Sequence, residues 1–114
     1  MFTKKAVIPL TLMFILVLVG SAIMMHHYNQ KQQTTKIVDA FISENHYKKD
    51  IQNKKIKYDS INGDYFEEII FKDEPEHLYE VYVDPKNKKV DFLIAFGKDR
   101  VEITDARKAK YLKP

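Results

Sequence analysis

The segment Asp73-Glu74-Pro75-Glu76-His77 gathers three carboxylates and an imidazole within five residues. Carboxylates hold hard cations or move protons, and an imidazole titrates near neutrality. A cation-dependent or hydrolytic enzyme is therefore the chemical reading of residues 73–77. The spacing argues against it. A calcium loop needs alternating oxygen ligands and a glycine at its sharp bend, and this segment has neither the glycine nor the length. Zinc would need ligands from elsewhere in the chain. Acids and a proline between two apolar runs read more simply as a solvated connection. On that reading Phe71 closes one strand, Lys72 to Glu76 face water, and Pro75 stops the pairing. Asp73, Glu74, Pro75, Glu76, His77 and Tyr79 are then expected at a contact surface, with no catalytic residue, metal ligand or cofactor assigned.

Other candidates for chemistry are weaker. His26 and His27 are adjacent, so on a helix they point about 100° apart and cannot share a metal in the i, i+4 manner. Beside Tyr28 they suit a membrane interface. His46 stands alone in sequence. Ser43 and Ser60 lie in no nucleophile motif. Three glycines, Gly20, Gly63 and Gly97, make no phosphate loop. The chain has no cysteine, so thiol chemistry, disulfides and a lipidated thiol are all excluded.

These residues have to be held by something, and the chain changes character twice. Residues 6–25, from Ala6 to Met25, are twenty residues without a charge, preceded by Lys4 and Lys5. As a helix they would run about 30 Å, the thickness of a bilayer's hydrocarbon core. A membrane anchor over 1–28 is the expectation. The competing reading is a secretory signal cleaved at Ala22, after the small residues Gly20 and Ser21. The apolar stretch outlasts a usual signal core, which favours the anchor. The lysines before the span place the N-terminus in the cytoplasm and the C-terminal domain outside, in a single-pass protein of the cell membrane.

Of 19 Lys and Arg, two precede the span, which leaves 17 positive against 16 negative charges in the remainder. The basic balance is therefore no sign of nucleic-acid binding. The expected partners are the membrane and another envelope protein or peptide.

Beyond the span, Ile37, Val38, Phe41 and Ile42 fall on one helical face, which predicts a juxtamembrane helix over 29–46 ending near Asn45. From about residue 54 the period becomes two. Ile56 and Tyr58 alternate with lysines, Asn62-Gly63 signals a hairpin, and aromatic and β-branched runs follow. Tyr79, Val81 and Val83 are expected on one face of a strand. Val90, Phe92, Ile94 and Phe96 are expected inward on the next. Residues 47–114 thus form a small β domain, ending in a last strand or a short C-terminal helix capped by Thr104 or Asp105. The fold class is α+β: a transmembrane helix, then a short amphipathic helix packed on a four- to five-stranded antiparallel sheet.

Phe71, Lys72, Asp73, Glu74 and Pro75, followed by Tyr79 and Tyr82, carry a resemblance. With the single apolar span, the chain resembles a family of small uncharacterised single-span membrane proteins of low-GC Gram-positive bacteria, a domain of unknown function with this FKDEP-type segment. The resemblance implies a membrane location and supplies no activity.

Overall fold

The computed structural model describes residues 4–112, with side chains from Pro9 onward. It is α+β: one long apolar N-terminal helix followed by a five-stranded antiparallel sheet. Met1–Gln30 and Lys31–Pro114 form two compact units.

Helix α1 runs Lys4–Glu44 without a break, so the anchor and the juxtamembrane helix are one element. Pro9 lies in its second turn, where few carbonyls lack a donor on its account. In the first unit the side chains from Leu10 to Met25 are exposed all round the helix. A helix apolar on every side needs an apolar solvent, and this one is long and apolar enough to cross a membrane. Ala6, the expected start of the span, lies on the helix, its side chain outside those described.

In the second unit Thr34, Ile37, Val38 and Ile42 of α1 are buried, at the spacing of a single helical face. The helix ends on a Schellman motif. His46 adopts a positive φ of 59°, its N–H donates to Ser43 O (3.2 Å), and Tyr47 N–H reaches back to Ile42 O (2.9 Å). The helix thus ends beside Asn45, as expected, and the Asn45 side chain donates to Phe41 O (2.8 Å). The Tyr47 ring meets Phe41 edge-on at 5.9 Å, completing the apolar contact that accompanies this cap.

The strands are β1 (Ile51–Asp59), β2 (Asp64–Phe71), β3 (Glu74–Asp84), β4 (Lys89–Phe96) and β5 (Glu102–Ile103). Their spatial order equals their sequence order, a meander in which each strand pairs antiparallel with the next. Two of the turns share one device. Asp59 accepts from the N–H groups of Ile61 and Asn62 and from the Asn62 amide, and Asp84 does the same for Lys86 and Asn87. Both turns then need a positive φ. Gly63 supplies it at 72°, and Lys88 takes it at 55° in the second turn.

The core lies between α1 and one sheet face. Val38 and Ile42 meet Ile69, Phe71, Tyr79, Val81 and Ala95 there. Tyr79, Val81 and Val83 share one face of β3, as expected, and that face packs on the core; of the four residues expected inward in β4, Val90 alone is. The register of β3 and β4 shifts between Tyr82 and Val83, so that Tyr82 pairs with Phe92 while Val83 pairs with Val90. Asp91 is the extra residue, a β-bulge that flips the alternation. Val90, Leu93 and Ala95 therefore face the core. Phe92, Ile94 and Phe96, expected inward, share the opposite face with their partners Tyr82, Glu80 and Leu78.

Of the two expected endings, the last strand is present, as β5, and no α-helix follows it among the described residues. β5 spans two residues, and a 3₁₀ turn follows at Lys110–Leu112. Asp105 accepts from Arg107 N–H (2.9 Å), a local Asx turn where a helix cap was expected.

Candidate functional site

The acidic segment begins on a two-residue turn. Phe71 pairs with Glu74 across Lys72 and Asp73, so β3 starts inside the segment that was expected to be a solvated connection. Pro75 interrupts the ladder without ending the strand. Between the pairs Phe71↔Glu74 and Ile69↔Tyr79, Ile70 alone stands opposite Pro75, Glu76, His77 and Leu78. On the other side, β4 reaches only as far as Leu78. The missing N–H of Pro75 therefore costs no ladder bond.

The turn positions two carboxylates that are not free. Asp73 accepts from Lys110 Nζ (2.8 Å) and from Tyr111 O–H (2.7 Å). Those bonds, Lys110 first, hold its carboxyl below the usual carboxylate range. Glu74 accepts from the Tyr79 hydroxyl and from Lys110 N–H (3.2 Å). His77 Nδ1 lies 3.2 Å from Glu74 Oε2 but off hydrogen-bond geometry, so the nitrogen remains without a bond. Tyr79 O–H also accepts from Tyr111 N–H (3.3 Å). Burial, then the bond to Glu74, pushes the Tyr79 hydroxyl far above its ordinary range.

Tyr111 itself is 3% exposed. Its ring stacks on Phe71, with centroids 3.5 Å apart and planes within 9°. Tyr47 and Tyr79 meet it edge-on at 4.9 and 5.6 Å. Turn and C-terminal segment thus form a clasp: two acids and three aromatic rings grip Ala109, Lys110 and Tyr111. Beside it, a groove of about 590 Å³ runs between the last turns of α1 (Phe41, Asn45) and β4 (Val90, Leu93), closed by Tyr111 and Leu112.

Of the expected contact surface, Asp73, Pro75 and Glu76 are exposed, whereas Glu74 and His77 are half-buried. Tyr79 is fully buried and belongs to the core, a correction to its expected place at the surface. No group of three or more His, Asp or Glu side chains able to hold a metal ion is assembled among the described residues. Lys110 and Tyr111 were missed from sequence because 36 to 38 residues separate them from the turn.

Two further features escaped the sequence reading. One is Glu67, 2% exposed on the core face of β2. Its neighbours Ile69 and Phe71 face inward, so strand alternation alone places Glu67 there too. Lys54 of β1 lies 3.9 Å from it and also bonds Asp39 of α1, while Glu67 Oε2 has no hydrogen-bond partner. Burial pushes the carboxyl up to about 7, against the attraction of Lys54 and with some help from Asp39. A group with a raised folded pKa binds its proton more tightly when folded. Its contribution is thus fully present below about pH 4.5 and is lost as pH rises through 7. Glu67→Gln is expected to abolish that slope. A fragment of residues 31–114 should then gain up to about 3 kcal/mol at pH 8, and less as the pH falls toward 4.5. Urea midpoints of both proteins across this range check it, and an unchanged pH profile would refute it.

The other feature is the sheet face turned away from α1. Phe66, Tyr82 and Phe92 stack across three strands, with centroids 5.0 and 4.8 Å apart and planes within 17°. Phe92 is 47% exposed. Ile70, Leu78, Ile94 and Phe96 continue this face, half-buried, among Glu68, Glu80 and Lys57.

A family model described as "Protein of unknown function (DUF3139)" matches residues 4–81. No curated protein and no solved structure matches the chain.

Proposed function

The chain belongs to the family described as proteins of unknown function (DUF3139), and from that premise we propose that it is a non-enzymatic binding or regulatory module of the cell envelope. The apolar helix supports a place in the cell membrane, and the lysines before it support a C-terminal domain outside. The Gram-positive setting of the resemblance fits this reading. The site is the aromatic ladder of Phe66, Tyr82 and Phe92, with the apolar strip beside it. The partner is another envelope protein or a peptide.

The observation that carries this reading is the apolar character of the face turned away from α1, on which Phe92 is 47% exposed while Phe66 is buried among its neighbours. A sheet is stable with one face packed and one in water, and its wet face is then ordinarily polar. Here three rings and four aliphatic or aromatic side chains occupy it, an arrangement typical of surfaces that meet a partner. The hydrolytic alternative has less support, because Asp73 and Glu74 are already engaged by Lys110, Tyr111 and Tyr79.

A photoreactive amino acid in place of Phe92, in the full chain and its native membrane, tests the proposal. Irradiation is expected to capture a discrete protein adduct. The same probe in place of Ile61, a 93% exposed turn residue, should capture none. Equal capture at both positions, or capture at neither, would remove the support for this face.

A further inference from the structure

The C-terminal segment sits on the domain as a ligand sits in a receptor. Ala109 and Tyr111 are buried at 0% and 3% exposure, and Lys110 between them points to a carboxylate. Four directional bonds read the segment: Lys110 Nζ and Tyr111 O–H to Asp73, Lys110 N–H to Glu74, and Tyr111 N–H to Tyr79 O–H. The stack on Phe71 selects an aromatic ring, and Ala109 is fully buried. The receptor therefore recognises the order small, basic, aromatic, aliphatic, as in Ala109-Lys110-Tyr111-Leu112.

The connection to this segment is of another kind. Between β5 and Ala109 the chain runs through residues 104–108, where Asp105 accepts from Arg107 side-chain and backbone N–H groups and Lys108 N–H bonds Asp105 O. These bonds lie within the connection itself and involve no group of the slot. Recognition is thus concentrated at the end of a short tether, the arrangement in which identical elements exchange between copies at low cost, because every lost contact is remade.

We propose that the slot formed by Tyr47, Phe71, Asp73, Glu74 and Tyr79 accepts the Ala109–Leu112 segment of a second copy of this chain as well as its own. Chains fixed in one membrane meet at a raised effective concentration, which favours exchange over the same equilibrium in dilute solution. The reading does not depend on the outer sheet face, and the two fail separately.

The absence of cysteine makes a direct test available. Two differently tagged full-length chains are placed in the same vesicles, one carrying Asp73→Cys and the other Lys110→Cys. A short bis-maleimide is expected to join them at least tenfold more than it joins Lys110→Cys to a chain carrying Ile61→Cys, which reports random collision. Adding Tyr111→Ala to the Lys110→Cys chain should return the yield to the collision level. One chain carrying both Asp73→Cys and Lys110→Cys provides the folding control, since internal joining shows that its slot is built. Internal joining with cross-chain joining at the collision level would overturn the proposal. So would a cross-chain yield that ignores Tyr111→Ala.

Discussion

Replacing Tyr79 by alanine is expected to leave residues 31–114 without a cooperative unfolding transition at neutral pH. Tyr79 is among the largest fully buried side chains and touches both layers of the core. Truncating a buried aromatic costs about 3–5 kcal/mol. The loss also leaves Glu74 Oε1 and the Tyr111 N–H without their partners, each worth about 1–3 kcal/mol when left unpaired. A unit of this size holds roughly 4–13 kcal/mol in total, so the substitution consumes most or all of it. Tyr79→Phe separates the two contributions. It keeps the ring and its edge contact to Phe71, and should cost about 1–3 kcal/mol with the fold intact. Urea titration by circular dichroism reads both. A loss below about 2 kcal/mol for Tyr79→Ala would contradict its place at the centre of the core.

A double substitution, Phe14→Lys with Leu18→Lys, is expected to release the full chain from the membrane. Each lysine near the centre of a span costs about 2.5–3.5 kcal/mol, while each Leu, Ile, Val or Phe gains about 0.3–0.6. Residues 6–25 contain eleven such apolar residues, so two lysines offset essentially the whole gain. The unaltered chain should stay with the membrane pellet through an alkaline carbonate wash, and the variant should not. N-terminal sequencing of the unaltered chain separates the two readings of the segment: a retained span keeps its first residues, whereas a signal cleaved at Ala22 leaves a chain beginning at Ile23. Retention of the double variant in the washed pellet would defeat the reading of this helix as a span.

The helix face and the strands were legible because periodicity carries them. Ile37, Val38 and Ile42 follow the helical repeat, and Tyr79 and Val81 the strand repeat, with no tertiary information required. β4 was misread for a specific reason. Val90, Phe92, Ile94 and Phe96 alternate cleanly on paper, but the bulge at Asp91 inserts one residue into the pairing, and no glycine marks it. Glu67 was legible in principle, since it shares parity with Ile69 and Phe71. Glu68 beside it looks identical in sequence while facing the other way, so composition alone does not single Glu67 out. The clasp was the least legible part. Asp73 and Glu74 have the composition of a solvated turn, and only the folded sheet brings Lys110 and Tyr111 to them. Acids near a proline identify a turn; they do not say whether something else in the chain is waiting for them.

The plain neighbour-to-neighbour order of the meander has a consequence for time as well as for shape. Each hairpin closes a short loop, so β1 to β4 can zip in sequence with little entropy lost at any step. The clasp is different: it closes across more than thirty residues and needs both β3 and the last residues of the chain. A chain made from its N-terminus can therefore have most of its sheet in place before Tyr111 arrives. In kinetic terms the C-terminal segment then belongs to the barrier against unfolding rather than to the nucleus, and its bonds set how long the folded state lasts more than how fast it forms.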